Sequence, residues 1–173
     1  MVKITTNLNG DLMSKIILMI ILAVSSSAAL AAKWKYETYK DEMTGRTASY
    51  ATKESENKVK FKSPYKIKQR GNIMIINDGE EVLFSIPEGK ITCSGENGKR
   101  GTCSISVKFD ANEAKNVSAR EFGDDSTTIE ITEPDFYRRL IVAKKIKIQV
   151  DAFQNGRPEF TFDVRKLKIK TTP

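Results

Sequence analysis

The sequence predicts a mainly β fold: a β-sandwich, or alternatively a β-barrel, of about 8–9 strands with one short α-helix near residues 133–145. Three observations lead there. Short segments in which apolar and polar residues alternate with a period of two recur along the chain, separated by Gly, Pro, Asn and Asp. Only one stretch, "TEPDFYRRLIVAKK", has apolar residues at helical spacing. The two cysteines, Cys93 and Cys103, flank a glycine-rich segment that reads as a stapled turn.

Residues 1–31 stand apart from this pattern. From Met13 the chain runs through Lys15 and a continuous apolar stretch, Ile16 to Val24, into small residues ending Ala29-Leu30-Ala31. That is the layout of a secretory signal peptide with an Ala-x-Ala cleavage site, and Met13 is an alternative start. A membrane anchor fits less well, because about 18 continuous apolar residues are needed to span a bilayer and Ser25 to Ser27 end the run early. Cleavage after Ala31 leaves residues 32–173 as a single β-rich domain with a net charge of +6 out of the formal +7, with no cysteine near the cut to carry a lipid. The expected location is periplasmic or secreted.

Each later element has its own signal. "KWKYETYK" sets Trp34, Tyr36 and Thr38 on one face, "DEMTG" turns the chain, and "RTASYATKES" returns as a polar strand. In "NKVKFKSPY" Val59 and Phe61 alternate with lysines until Pro64, which is expected to stop the pairing. "NIMIIN" and "EVLFSIP" form a hairpin about Asp78-Gly79, and the unbroken run Ile73 to Ile76 suggests burial on both faces. "STTIEIT" is a further strand. The helix should run about three turns, with Thr132 as its cap, Pro134 and the acids Glu133 and Asp135 in its first turn, and Phe136, Leu140 and Ala143 on its buried side. "IKIQV" and "EFTFDV" close the chain as a hairpin in which Asn155-Gly156 makes a type I′ turn.

Export makes a disulfide between Cys93 and Cys103 the natural reading. The CxxC spacing of redox enzymes is absent, and without histidine two thiols do not complete an ordinary zinc site. "GKITCS" and "CSISVKFD" alternate into and out of the pair, so a cross-strand staple is expected. Ile105, Val107 and Phe109 then share a face with Cys103. Closing such a loop stabilises by roughly 2.5–3 kcal/mol in the chain-entropy treatment.

The order of these signals resembles a recurring type of small exported proteobacterial or phage-borne β-rich protein: an aromatic first strand with "DEMTG", then "SPY", a cysteine hairpin ending in "VKFD", "DFYRRLIVAKKIKI" and a final "FTFDV". The resemblance implies export and β-rich architecture. It brings no settled function and no catalytic residue.

Catalysis finds little support in the residue inventory. The chain has no histidine, the commonest general base and metal ligand, and the expected disulfide removes both thiols as nucleophiles. Nothing marks a Ser-Lys pair. Asp124-Asp125 reads as a solvated turn rather than a glycosidase pair, since adjacent carboxylates point apart. "DANE" at 110–113 opens like a calcium loop, but the EF-hand glycine and glutamate do not follow. No catalytic residue, metal or cofactor is therefore expected. Binding remains, and two surfaces are candidates. One is the stapled loop "SGENGKRGT", whose Lys99 and Arg100 suit an acidic cleft on another envelope or secreted protein, making the chain an inhibitor, immunity factor or accessory subunit. The other is the lysine row Lys58, Lys60, Lys62, Lys66 and Lys68, suited to anionic glycan or lipid. A second basic group lies at 144, 145, 147, 166, 168 and 170. Nucleic acid is the poorest fit, because export removes the target and no recognition motif is present. A protein partner through the loop is the leading expectation and an anionic polymer or lipid the alternative.

Overall fold

The structure is a computed structural model that describes residues 33–93, 101–124 and 126–168. The expected leader at 1–31, the loop cations Lys99 and Arg100, and also Asp125 and Lys170 lie outside the described residues. Among the described residues, eleven strands, one α-helix and a short 3-10 turn follow in order: β1 (Lys35–Lys40), β2 (Thr47–Glu54), β3 (Val59–Lys60), β4 (Lys68–Gln69), β5 (Asn72–Ile76), the 3-10 turn (Asn77–Gly79), β6 (Glu81–Ser85), β7 (Thr102–Phe109), β8 (Lys115–Glu121), β9 (Thr128–Ile131), α1 (Phe136–Val142), β10 (Lys145–Gln149) and β11 (Glu159–Asp163). The fold is thus mainly β with one short helix.

Nine strands form one antiparallel sheet in the order β1-β2-β5-β6-β9-β8-β7-β10-β11, and β3 pairs with β4 as a separate ribbon. The sheet curls far enough for its first strands to meet its last. Just beyond β2, Glu56 N–H donates to the Thr161 carbonyl at 2.7 Å. Asn57 clasps the same edge, accepting from Thr161 N–H at 2.8 Å and donating to the Glu159 carbonyl at 2.8 Å. The curl brings Phe84 on β6 within 5.5 Å of Phe160 on β11, ring centre to ring centre, although four strands separate them in the sheet. Two walls of one continuous sheet therefore enclose one core, which the alternating apolar residues fill: Ile73, Ile75, Phe84, Ile105, Val107, Ile129, Ile146, Ile148, Phe160 and Phe162 are all buried.

Helix α1 covers one end of this core through Phe136 and Leu140, and Phe136 meets Phe109 edge-on at 5.5 Å. It is shorter than expected. Thr132 still pairs with β8, its N–H donating to the Ser118 carbonyl, so the helix starts only after Asp135. It stops at Ala143 because the Asp110 carboxylate accepts from the N–H groups of Lys144 and Lys145 and starts β10.

Three further local expectations need correction. Met74 and Ile76 are only half-buried while Ile73 and Ile75 are buried, because a single curled layer leaves every strand a solvent side. The β10–β11 connection is not a type I′ turn at Asn155-Gly156. The positive φ angles fall on Gln154 and Gly156, and Asn155 uses its side chain to hold neighbouring backbone. Most consequentially, Cys93 and Cys103 do not staple a hairpin. Ile91 bridges antiparallel to Ala152 just beyond β10, and β7 is also antiparallel to β10. The segment at Cys93 therefore runs in the same direction as β7. The disulfide is formed, with Cα atoms 4.6 Å apart, and it joins these two segments, while the expected turn at 94–100 lies outside the described residues.

Candidate functional site

The lysine row expected from the sequence lies on the β3–β4 ribbon, between β2 and β5. Val59 opposes Gln69 and Lys60 opposes Lys68. The ladder continues past these strands, since Phe61 N–H donates to the Ile67 carbonyl and Lys66 N–H to the Lys62 carbonyl. Pro64, preceded by a cis peptide bond, sits in the turn between them rather than ending the pairing. A proline lacks only the N–H donor, and a residue at a turn needs none. Because side chains alternate along each strand, Lys58, Lys60 and Lys62 share a face with Lys66 and Lys68, while Phe61 points the other way into the core. Two sequence-separated groups become one cationic face.

Four anchors hold this ribbon. Ser55, fully buried, donates its hydroxyl proton to the Asn57 carbonyl and accepts from Gly71 N–H, while Arg70 donates to the carbonyls of Ser55 and Glu56. Gly71 is required there: a Cβ would stand 2.9 Å from ring atoms of both Phe160 and Phe84. The side-chain amide of buried Gln69 pairs both ways with the Glu88 backbone, at 2.8 and 2.9 Å. Phe61 fills the core next to Gly89, and Lys62 N–H donates to the Asn155 side chain at 2.6 Å.

All five lysines are exposed, and among the described residues none forms an ion pair. The second basic group is mixed: Lys144, Lys166 and Lys168 are exposed and, among the described residues, form no ion pair, whereas two others do. Lys145 pairs with Glu56 at 3.2 Å and Lys147 with Glu159 at 2.7 Å. Like charges placed directly across an antiparallel pair repel. The ribbon therefore concentrates uncompensated charge on a rigid support.

The turn that receives Lys62 also carries Phe153, which is 52% exposed and whose N–H donates to the Lys90 carbonyl. Ile67, 37% exposed, pairs with Phe61 and so belongs to the ribbon face opposite the lysines. Neither stands out in the sequence. The available signal is weak: Phe153 is an aromatic on the solvent side of the alternation that runs through Ile146, Ile148 and Val150.

Most other polar features have structural partners, the buried Trp34 Nε1–H being an exception among the described residues. Lys53 is 4% exposed on the inner side of β2, 5.9 Å from the Trp34 ring, and burial lowers its pKa against the opposing pull of Asp163 and Glu56. Hydrogen bonds from the Arg165 side chain bring the Asp163 carboxyl down to about 2, against the opposing effect of burial. Burial raises the Tyr137 pKa, helped by Asp78 and Tyr36. The Asp110 carboxylate, the start of "DANE", is engaged by the backbone at β10, and Asp124 is exposed in a turn. At the base of the loop that holds Lys99 and Arg100, Glu121 accepts from Gly101 N–H at 3.0 Å and from Ser126, and its own N–H donates to the Gly101 carbonyl. No helix among the described residues is long and apolar enough to cross a membrane.

No family model matches this chain, and no curated protein or solved structure matches it significantly.

Proposed function

We propose that the protein is an exported, non-catalytic binding protein that engages an anionic envelope surface, polymer or lipid, through the β3–β4 ribbon. The observation that carries this reading is the face-to-face placement of Lys60 and Lys68, flanked by Lys58, Lys62 and Lys66, without an acidic partner among the described residues. An anionic ligand relieves the mutual repulsion that the fold leaves in place. The leader-like sequence at 1–31 and the Cys93–Cys103 disulfide support periplasmic or secreted location. Retention on an anionic resin, followed by elution between low salt and roughly 0.5 M salt, tests it, because screening shortens the reach of such charges. Retention no stronger than that of a Lys60→Gln, Lys68→Gln double variant would remove the ribbon from the function.

A second reading has its own observation. The two ends of the loop holding Lys99 and Arg100 are tied by the disulfide and by the Gly101–Glu121 bonds, a support suited to recognition of an envelope or secreted protein. A partner captured from envelope extract and retained at roughly 0.5 M salt favours that reading, since a shape-matched interface survives screening.

A further inference from the structure

We infer that the anionic surface is a lipid bilayer, and that the protein docks on it with the β3–β4 ribbon against the headgroups and Phe153 entering the interface. This rests on the ribbon reading above and goes beyond it by naming one occupant. Charge and an exposed aromatic ring occur on two bonded turns. Lys62 N–H is bonded to Asn155, and Asn155 in turn donates to the Phe153 carbonyl, so the exposed ring belongs to the turn that holds the ribbon. Phe153 N–H is bonded to the Lys90 carbonyl, which brings the backbone of another exposed cationic residue to the same turn.

A polysaccharide or a flexible polyanion offers rows of charge but no apolar layer for Phe153. An anionic bilayer offers both: a negative plane that attracts lysines, and an acyl boundary a few ångströms below it in which an aromatic ring is stable. Each lysine that reaches the headgroups strengthens partitioning about fivefold, and burying the exposed part of Phe153 adds about tenfold.

The test uses oxidised 32–173, which carries the entire described core. Sedimentation is measured with vesicles of phosphatidylcholine alone and with about one-third phosphatidylglycerol, chosen to give a clearly negative surface potential. Binding is expected only to the anionic vesicles, and Phe153→Ser should weaken it about tenfold, far more than it lowers retention on an anionic resin. Phe153→Trp provides a readout independent of that loss: its fluorescence should shift to the blue on anionic vesicles and be quenched by brominated acyl chains beyond the Trp34 background. Resin retention without vesicle binding, or fluorescence of the Phe153→Trp variant that brominated lipid leaves unchanged, overturns the bilayer inference while leaving the ribbon reading intact. Binding to neither resin nor vesicles removes both.

Discussion

Lys68→Glu should make the protein more stable and a poorer binder of anions. In the structure residue 68 faces Lys60 directly, with Lys58 and Lys62 on its diagonals and Lys66 two residues along its own strand. Two unit charges about 6 Å apart in water interact by about 0.7 kcal/mol, and a Debye length of about 8 Å cuts that roughly in half. Replacing repulsion by attraction counts the remainder twice, so the direct pair alone yields about 0.7 kcal/mol. With weaker diagonal terms the total is about 1 kcal/mol. For a domain of this size that raises Tm by about 2–4 °C. Urea denaturation at low salt should show a higher midpoint with unchanged slope, and the gain should shrink as salt is added. Vesicle affinity should fall about 25-fold, two charge units at about fivefold each. A stability loss, or a gain that persists at high salt, would refute the claim that the ribbon stores uncompensated repulsion.

Other perturbations probe the rest of the fold. Cys93→Ser should cost roughly 2.5–3 kcal/mol in a chain-entropy treatment, read by chemical denaturation; free thiols in the native protein would contradict the bond. Gly79→Ala forces a Cβ to 2.2 Å from the Tyr137 ring at φ +104°, so overpacking and backbone strain together should cost about 2–5 kcal/mol. Gly45→Ala, also at positive φ but with nothing within 4 Å, should cost only about 1–2 kcal/mol, and equal losses would deny the helix contact. Asp163 has a depressed carboxyl pKa, so its contribution is fully present above about pH 4 and is lost as pH falls through about 2. Asp163→Asn should lower stability at neutral pH by about 1–2 kcal/mol, a figure reduced for the solvent around the exposed Arg165 side chain, and should flatten the acid limb of thermal melts.

How much of this was legible in the sequence depended on the range of the interaction. Period-two alternation is local, so "IKIQV" and "EFTFDV" identify their own buried residues, and Ile146, Ile148, Phe160 and Phe162 are wholly buried as expected. The asymmetric burial of Ile73 to Ile76 was not legible, because it depends on whether a second layer covers the outer face. The Cys93 segment shows the same limit. Its alternation fits a hairpin, and only the prolongation of β10 to Ala152 shows that it runs in the same direction as β7 instead. The helix start is easily misread because Thr132 is a sound cap by residue type, yet its N–H is already engaged by β8. For the site, all five lysines were visible, but the joining of 58–62 with 66–68 was not. Pro64 reads as a terminator unless one knows that Phe61 and Ile67 pair across it.

Lysines on a strand also discourage edge-to-edge aggregation, so the ribbon invites comparison with that role. Protection of an edge requires charge, but it does not require one sign. Alternating Lys and Glu would protect equally well and would turn cross-strand repulsion into attraction. β1, the strand at one end of the sheet order, carries such a mixture, with Lys35, Glu37 and Lys40 all exposed. The ribbon instead places cations opposite cations, and its backbone is then fixed by Ser55, Gln69, Phe61 and Asn155, so the points from which the lysines project are held. Protection explains the presence of lysine there but not the exclusion of acids or the anchoring. A surface that must meet a plane of negative charge requires both, because binding strengthens as more like charges are held at one level. The nearby exposed Phe153 fits the same logic, because a partner with an apolar layer beneath its charge accommodates the ring.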